Sequence, residues 1–180
     1  MTSVPALPTP ELSVLIKLSD LGATPATDSI VATDEQCLKL AERFGLPSIQ
    51  SLTASYRLEA RTDDILFTGS IDAQLEQTCA ISGEAFPVHV LEDFHIIFVE
   101  KQEYSGGEEE IELESDDCDM IEYEQAQIDI GEAVAQTLLL ALDPYPRGPN
   151  AEKVADKKGL KSEEEAGPFG ALAALKDKLS

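Results

Sequence analysis

The side chains of this 180-residue protein that could carry chemistry are two histidines, three cysteines and a large excess of carboxylates. His89 and His95 lie six residues apart with Asp93 between them, which raises the idea of a metal site or an acid–base pair. On an extended strand that spacing separates the imidazoles by ~20 Å. They cannot share an ion, and both read as ordinary strand histidines. Cys37, Cys79 and Cys118 are odd in number and far apart, so neither a disulfide framework nor a zinc quartet follows from their spacing. The carboxylates lack the Asp-x-Asp-x-Asp-Gly pattern of a calcium loop, and no phosphate-cradling glycine loop or nucleophile elbow is present. The expectation is a non-enzymatic protein without a cofactor.

Charge narrows the partners. Thirteen basic against 35 acidic side chains give a net charge of −22 and a pI near 4.2. Such a chain repels nucleic-acid phosphates and anionic membranes and attracts basic partners; neither DNA nor a membrane is expected. The few cations are Arg57 and Arg61 on the wet face of one predicted strand, Arg147, and a tail group of Lys153, Lys157, Lys158 and Lys161. Residues 100–124 hold twelve acids against the single base Lys101. This run reads as a solubilising loop or as an electrostatic dock for a basic protein or cation.

The elements that would position these groups surround one stretch, Cys79 to Val99, a turn opening a long apolar strand. Phe86, Val88, Val90, Phe94, Ile96 and Phe98 fall on one face. Leu91, Ile97 and Val99 make the other face partly apolar, so the strand is expected to be central and covered on both sides. Phe86, Val88, Phe94, Ile96 and Phe98 are the predicted core. Before it, period-two alternation from Leu52 to Ala60 and from Ile65 to Leu75 predicts an antiparallel hairpin with one dry face. Gly69 marks a bulge or a close backbone crossing.

Upstream, Leu12–Leu18 reads as a strand and Gly22–Asp28 as a connection. Thr33 with Gln36 predicts a capping box for a helix over 34–44, with Gly45 and Pro47 ending it and Leu38, Ala41 and Phe44 sharing a face. Cys37 on that helix reads as a packed thiol. Downstream, a short strand around Met120–Tyr123 rejoins the sheet. Asp129, with Glu132 at the capping-box position, opens a second helix that Pro144 ends.

The expected fold class is α+β: an antiparallel sheet of five to seven strands, either open or curled toward a barrel, with two or three helices. Residues 1–10 are expected to be disordered, 11–147 to form one domain with an acidic loop at 100–119, and 148–167 to be a flexible linker. An amphipathic helix over 168–180 follows, with Phe169, Leu172 and Leu175 on one face, able to dock on its own domain or on a partner. The 43% hydrophobic share supports a core without staples. No run approaches the ~18 apolar residues of a membrane span, and the amino terminus lacks a secretory pattern. A cytoplasmic protein is expected.

The cysteine-initiated turn, the strand with spaced phenylalanines, the acidic insertion, IDIGEAVAQTLLLALDPYPR and the terminal PFGALAALK together resemble the YceD family over roughly residues 50–176. The N-terminal third is similar to the form found in alphaproteobacteria. The resemblance implies a role in accumulation or processing of large-subunit ribosomal RNA, without known enzymatic chemistry. Many members carry a Cys-x-x-Cys at the turn and a second cysteine pair after the leucine-rich helix, a zinc quartet. Here the first pair is Cys79 and Ser82, and Pro144–Asn150 contains no cysteine, so a metal-free turn held by its own hydrogen bonds is expected.

Two binding roles follow. One is a ribosome-biogenesis factor that contacts ribosomal RNA directly, with Arg57, Arg61 and the tail lysines as its sparse cations; Arg147 is a further candidate partner-binding residue. The other is an acidic adaptor that holds a basic ribosomal protein, using the 100–124 charge and the terminal helix residues Phe169, Leu172 and Leu175.

Overall fold

The structure is a computed structural model, and it describes residues 10–101 and 119–159. The expected terminal helix over 168–180 and most of the acidic loop lie outside the described residues. The chain divides into two compact units, one of residues up to Glu76 with Pro87–Leu142, the other of Gln77–Phe86 with residues from Asp143 onward.

In the first unit, the strands β2 (Ala26–Val31), β3 (Ser48–Ala60), β4 (Asp64–Thr78), β5 (Ala85–Glu100) and β6 (Asp119–Tyr123) form a sheet in that order. The last two residues of β4 and the first two of β5 belong to the second unit. β1 (Leu15–Lys17) and β7 (Gln127–Asp129) make a separate two-stranded antiparallel ribbon. The helices are α1 (Asp34–Phe44) and α2 (Ile130–Ala141). This is an α+β fold. The five-stranded sheet has two edges, β2 and β6, and does not close into a barrel.

The hairpin forms as its alternation requires. β3 pairs antiparallel with β4 from Ser48↔Glu76 to Ala60↔Ile65. Leu52, Ala54 and Leu58 on β3 and Ile65, Phe67, Ile71, Ala73 and Leu75 on β4 are buried. Gly69 pairs with Tyr56 without a bulge; the register shift lies at Ile49/Ser51. Gly69 occupies an inward position, and a Cβ there would sit 2.7 Å from Cζ of Phe94 and collide with the Ser55 carbonyl. Of the two readings, the close approach is the one seen. Phe67 stacks at 4.7 Å from Phe94 and 6.0 Å from Phe98, ring centre to ring centre, joining β4 and β5 through aromatic packing.

Thr33 caps α1 as the sequence indicates: its hydroxyl accepts from the Gln36 N–H and the Gln36 side chain accepts from the Thr33 N–H. Gly45 follows at φ 66°, the left-handed conformation that glycine adopts without strain. The buried face is Cys37, Leu40 and Ala41, not the expected Leu38 face; Leu38 is 61% exposed. Residues 37, 40, 41 and 44 follow the i, i+3, i+4, i+7 stripe that one helical side presents, and Leu38 lies off it.

Several expectations are corrected. Strand β2 lies within and beyond the expected connection, pairing antiparallel with β3 from Ala26↔Leu58 to Val31↔Thr53. It is an edge strand in which only Ile30 is buried, so it lacks the alternation that reveals inner strands. β1 is only three residues long, followed by a single 3-10 turn at Leu18–Asp20. β6 pairs parallel to β5, Ile96↔Asp119 through Glu100↔Tyr123, so the sheet is mixed; parallel neighbours need a crossover of about a dozen residues, a length that residues 101–118 supply. β5 is next to the edge and, among the described residues, covered on one side only. Phe94, Ile96 and Phe98 are core as expected, Val88 is part-buried against it, and Leu91 on the other face is 66% exposed.

Asp129 caps α2, accepting from the Gly131 and Glu132 N–H groups. Glu132 does not complete a capping box; its carboxylate turns to Arg43 at the end of α1. Ala133, Val134, Ala135 and Leu138 are buried, whereas Leu140 is 78% exposed.

The second unit contains the Cys79–Glu84 turn, part-buried Phe86, an irregular segment from Asp143, and α3 (Ala151–Lys158). This helix replaces part of the flexible linker expected over 148–167. Its charge-rich sequence hides it, but Ala151 is buried, Gly159 closes it in a left-handed cap, and Lys157 and Lys158 oppose the negative end of its dipole.

Candidate functional site

Among the described residues, helices cover one face of the five-stranded sheet and leave the other open, so the wet positions of β3, β4 and β5 form a surface by themselves. Register places Ser51 opposite Gln74, Thr53 opposite Asp72 and Ser55 opposite Ser70. These rows line a shallow groove of about 600 Å³, bounded on the β5 side by Leu91, Glu92 and Asp93. Asp72 is exposed and its Oδ1 lies 2.8 Å from Nε2 of His89. Among the described residues, the groove lining includes three carboxylates and no cation.

Of the cations named from sequence, Arg57 stands on this same open face, two residues beyond Ser55 on β3 and opposite Thr68, next to the groove lining. Arg57 is exposed on β3, with Nη2 3.3 Å from Oε2 of Glu59. Arg61 lies just past β3, where its N–H donates to the Asp64 carbonyl and its guanidinium is 3.8 Å from Oδ1 of Asp64. Each therefore has a carboxylate beside it, which weakens its field at a phosphate. Arg147 is exposed in the second unit. Phe169, Leu172 and Leu175 lie outside the described residues. The histidines stand on the open face, and among the described residues no three His, Cys, Asp or Glu side chains group as metal ligands would.

In the second unit the turn and the segment after the leucine-rich helix do meet. The Ala80 N–H donates to the Pro146 carbonyl at 2.8 Å, and Asn150 Nδ2 donates to Glu84 at 3.0 Å. The turn is closed by Cys79 N–H to the Glu84 carbonyl and Gly83 N–H to the Cys79 carbonyl, both 2.9 Å. Cys79 is buried, and the Ser82 N–H points at its Sγ from 3.4 Å. Hydrogen bonds from the Ser82 hydroxyl and N–H, outweighing burial, lower the Cys79 thiol to about 6, with the Gly148 and Ile81 N–H groups adding to the effect. Thiolate stabilisation here comes from N–H and O–H donors. The residues do not fit the zinc quartet that the resemblance implies for other members: one thiolate is present, and 144–150 contributes no thiol or imidazole.

A family model described as Large ribosomal RNA subunit accumulation protein YceD matches residues 67–176. The chain belongs to that family. No curated protein and no solved structure matches it. The YceD match begins in β4 and takes in β5, β6, both later helices and the Cys79 turn, whereas β1, β2, α1 and β3 precede it. The groove thus combines β4 and β5, inside the YceD match, with β3, outside it. No helix among the described residues is long and apolar enough to cross a membrane.

Of the groove's hydroxyl and carboxylate residues, only Asp93, between the two histidines, was singled out from sequence. The signal for the others was present, since Thr53 and Ser55 are wet positions of the alternating strand. Alternation alone does not tell an open sheet face from one covered by another layer.

Proposed function

We propose that this chain is a non-catalytic ribosome-biogenesis factor that supports the synthesis, processing or accumulation of large-subunit ribosomal RNA, acting by binding in the cytoplasm. The observation that carries this reading is the YceD match over residues 67–176. In keeping with a binding role, the sheet face offers a broad groove. The test is removal of the protein from its own cells, with the ratio of large- to small-subunit ribosomal RNA as readout. A fall in that ratio, restored by the wild-type chain, supports the reading; an unchanged ratio contradicts it.

A second reading makes the RNA effect indirect, through a basic ribosomal protein that the chain holds. The carboxylate beside each of Arg57 and Arg61 favours it, because phosphate binding draws on available cations. Nuclease-resistant recovery of a basic ribosomal protein with the chain supports this reading, and RNA-dependent recovery supports direct contact.

A further inference from the structure

We infer that the open face of the sheet is a docking groove for an extended, lysine- or arginine-rich polypeptide segment. This deepens the second reading above and rests on it, naming the surface and the chemistry of its occupant.

Three observations converge. First, among the described residues no element covers the face: Ser55, Ser70, Asp72, Gln74 and Asp93 are exposed, and Leu91 is 66% exposed. Second, its polar groups repeat every second residue along two paired strands, Ser51, Thr53 and Ser55 beside Gln74, Asp72 and Ser70. That repeat of about 6.5–7 Å is the side-chain repeat of another extended chain, so successive side chains of such a segment meet equivalent partners. Third, Asp72, Glu92 and Asp93 set the sign of the groove, with no cation among its described lining residues, and Arg57, next along the same face, is paired with Glu59.

The sign selects among occupants. Nucleic acid would bring phosphates against these carboxylates. A second copy of the chain docking by this face would place its own Asp72, Glu92 and Asp93 against the same groups. A basic segment instead gains attraction at each charged position, and its aliphatic stems can lie along Leu91.

The experiment uses the full purified chain and a fluorescent ten-residue peptide alternating lysine and valine, with an RNA ten-mer and an alternating glutamate–valine peptide as competing probes. Anisotropy should show saturable binding of the lysine peptide alone, weakening as salt is raised. The triple variant Asp72→Asn, Glu92→Gln, Asp93→Asn should lose about tenfold in affinity. Ser55→Lys, which places a cation within the groove, should also weaken binding, whereas Asp20→Asn, Glu35→Gln, Glu42→Gln should leave it within about twofold. Circular dichroism establishes that each variant is folded.

Equal losses in both triple variants, unchanged binding in the groove triple and in Ser55→Lys, or tighter binding of the RNA would each overturn the inference. So would a dimer in sedimentation that the groove triple dissociates. The ribosomal RNA ratio after depletion reports separately on the functional reading: if wild type restores it but the peptide does not bind, only the groove assignment fails.

Discussion

Arg43 grips Glu132 with both guanidinium nitrogens, Nη2 at 2.6 Å from Oε1 and Nη1 at 2.8 Å from Oε2, joining the last turn of α1 to the first turn of α2. Nη1 also donates to Glu11 at 2.9 Å. The planar fork fixes geometry as well as charge, and these side chains are only 19–34% exposed. Arg43→Ala should cost about 1–2 kcal/mol, a fall of about 2–8 °C in Tm for a chain of this size. Arg43→Lys should recover only part, because an ammonium cannot pair bidentately. The arginine holds Glu132 below its ordinary carboxylate range; for Glu11 a backbone hydrogen bond leads and Arg43 adds to it. Both groups therefore stabilise the fold fully above about pH 4.5, and the contribution is lost as pH falls through their lowered values. Acid unfolding of Arg43→Ala should accordingly be less steep than that of wild type; identical acid profiles would contradict the clamp.

Asp129 does two jobs with one carboxylate. Oδ1 accepts from the N–H groups of Gly131 and Glu132 at 3.1 Å and of Val14 at 2.9 Å, and Oδ2 accepts from the Ser13 hydroxyl at 2.7 Å. It is the cap of α2 and the fastening of the β1 segment together. Asp129→Ala should cost about 2–3 kcal/mol, more than an ordinary cap of about 1, because part-buried donors on two segments lose their acceptor. Asp129→Asn keeps an acceptor oxygen and should cost less. Urea denaturation measures both, and an alanine variant within 0.5 kcal/mol of wild type would show the network to be dispensable.

Gly69 leaves room for the Phe94 ring at an inward position of β4. A methyl group there would meet the Ser55 carbonyl and sit 2.9 Å from Cα of Tyr56. Both are backbone atoms of the paired strand, so no rotamer change relieves them. Gly69→Ala should therefore destabilise by about 1–3 kcal/mol, with the largest chemical-shift changes at Ser55, Tyr56 and Phe94. A neutral outcome, or shifts confined to β4, would show that the strands are not in this register.

Much of this architecture was open to reading from sequence where local rules decide. The Thr33–Gln36 box, the Gly45 stop and the alternation on either side of Thr62 all report interactions within a few residues. The features that escaped depend on distant partners. Edge strand β2 buries only Ile30 and so carries no period; β6 joins parallel across a long connection, which leaves no turn signal; α3 presents a mostly charged surface. Glu132 illustrates the same limit at one residue: its position fits a capping box, yet Arg43, 89 residues away in sequence, claims its carboxylate. At the groove, wet-face residues were identifiable one by one, while whether a layer covers them is a property of the whole sheet.

Cys79 supplies the last test, because its environment favours the thiolate. With its pKa lowered to about 6 in the fold and about 8.5 when unfolded, the sign follows directly. The thiolate contribution is fully present above the unfolded value and disappears as pH falls through about 6. The Tm difference between wild type and Cys79→Ala should therefore grow steadily from pH 6 to pH 9 and flatten beyond. Ultraviolet titration of thiolate absorbance in a Cys118→Ser background should show a first midpoint near 6, while Cys37, raised by burial and by Asp34, ionises later. Ser82→Ala removes the leading donor and should move that midpoint upward. A Tm difference independent of pH would refute the thiolate account, and stoichiometric zinc in the purified protein would refute the assignment of its stabilisation to N–H and O–H donors.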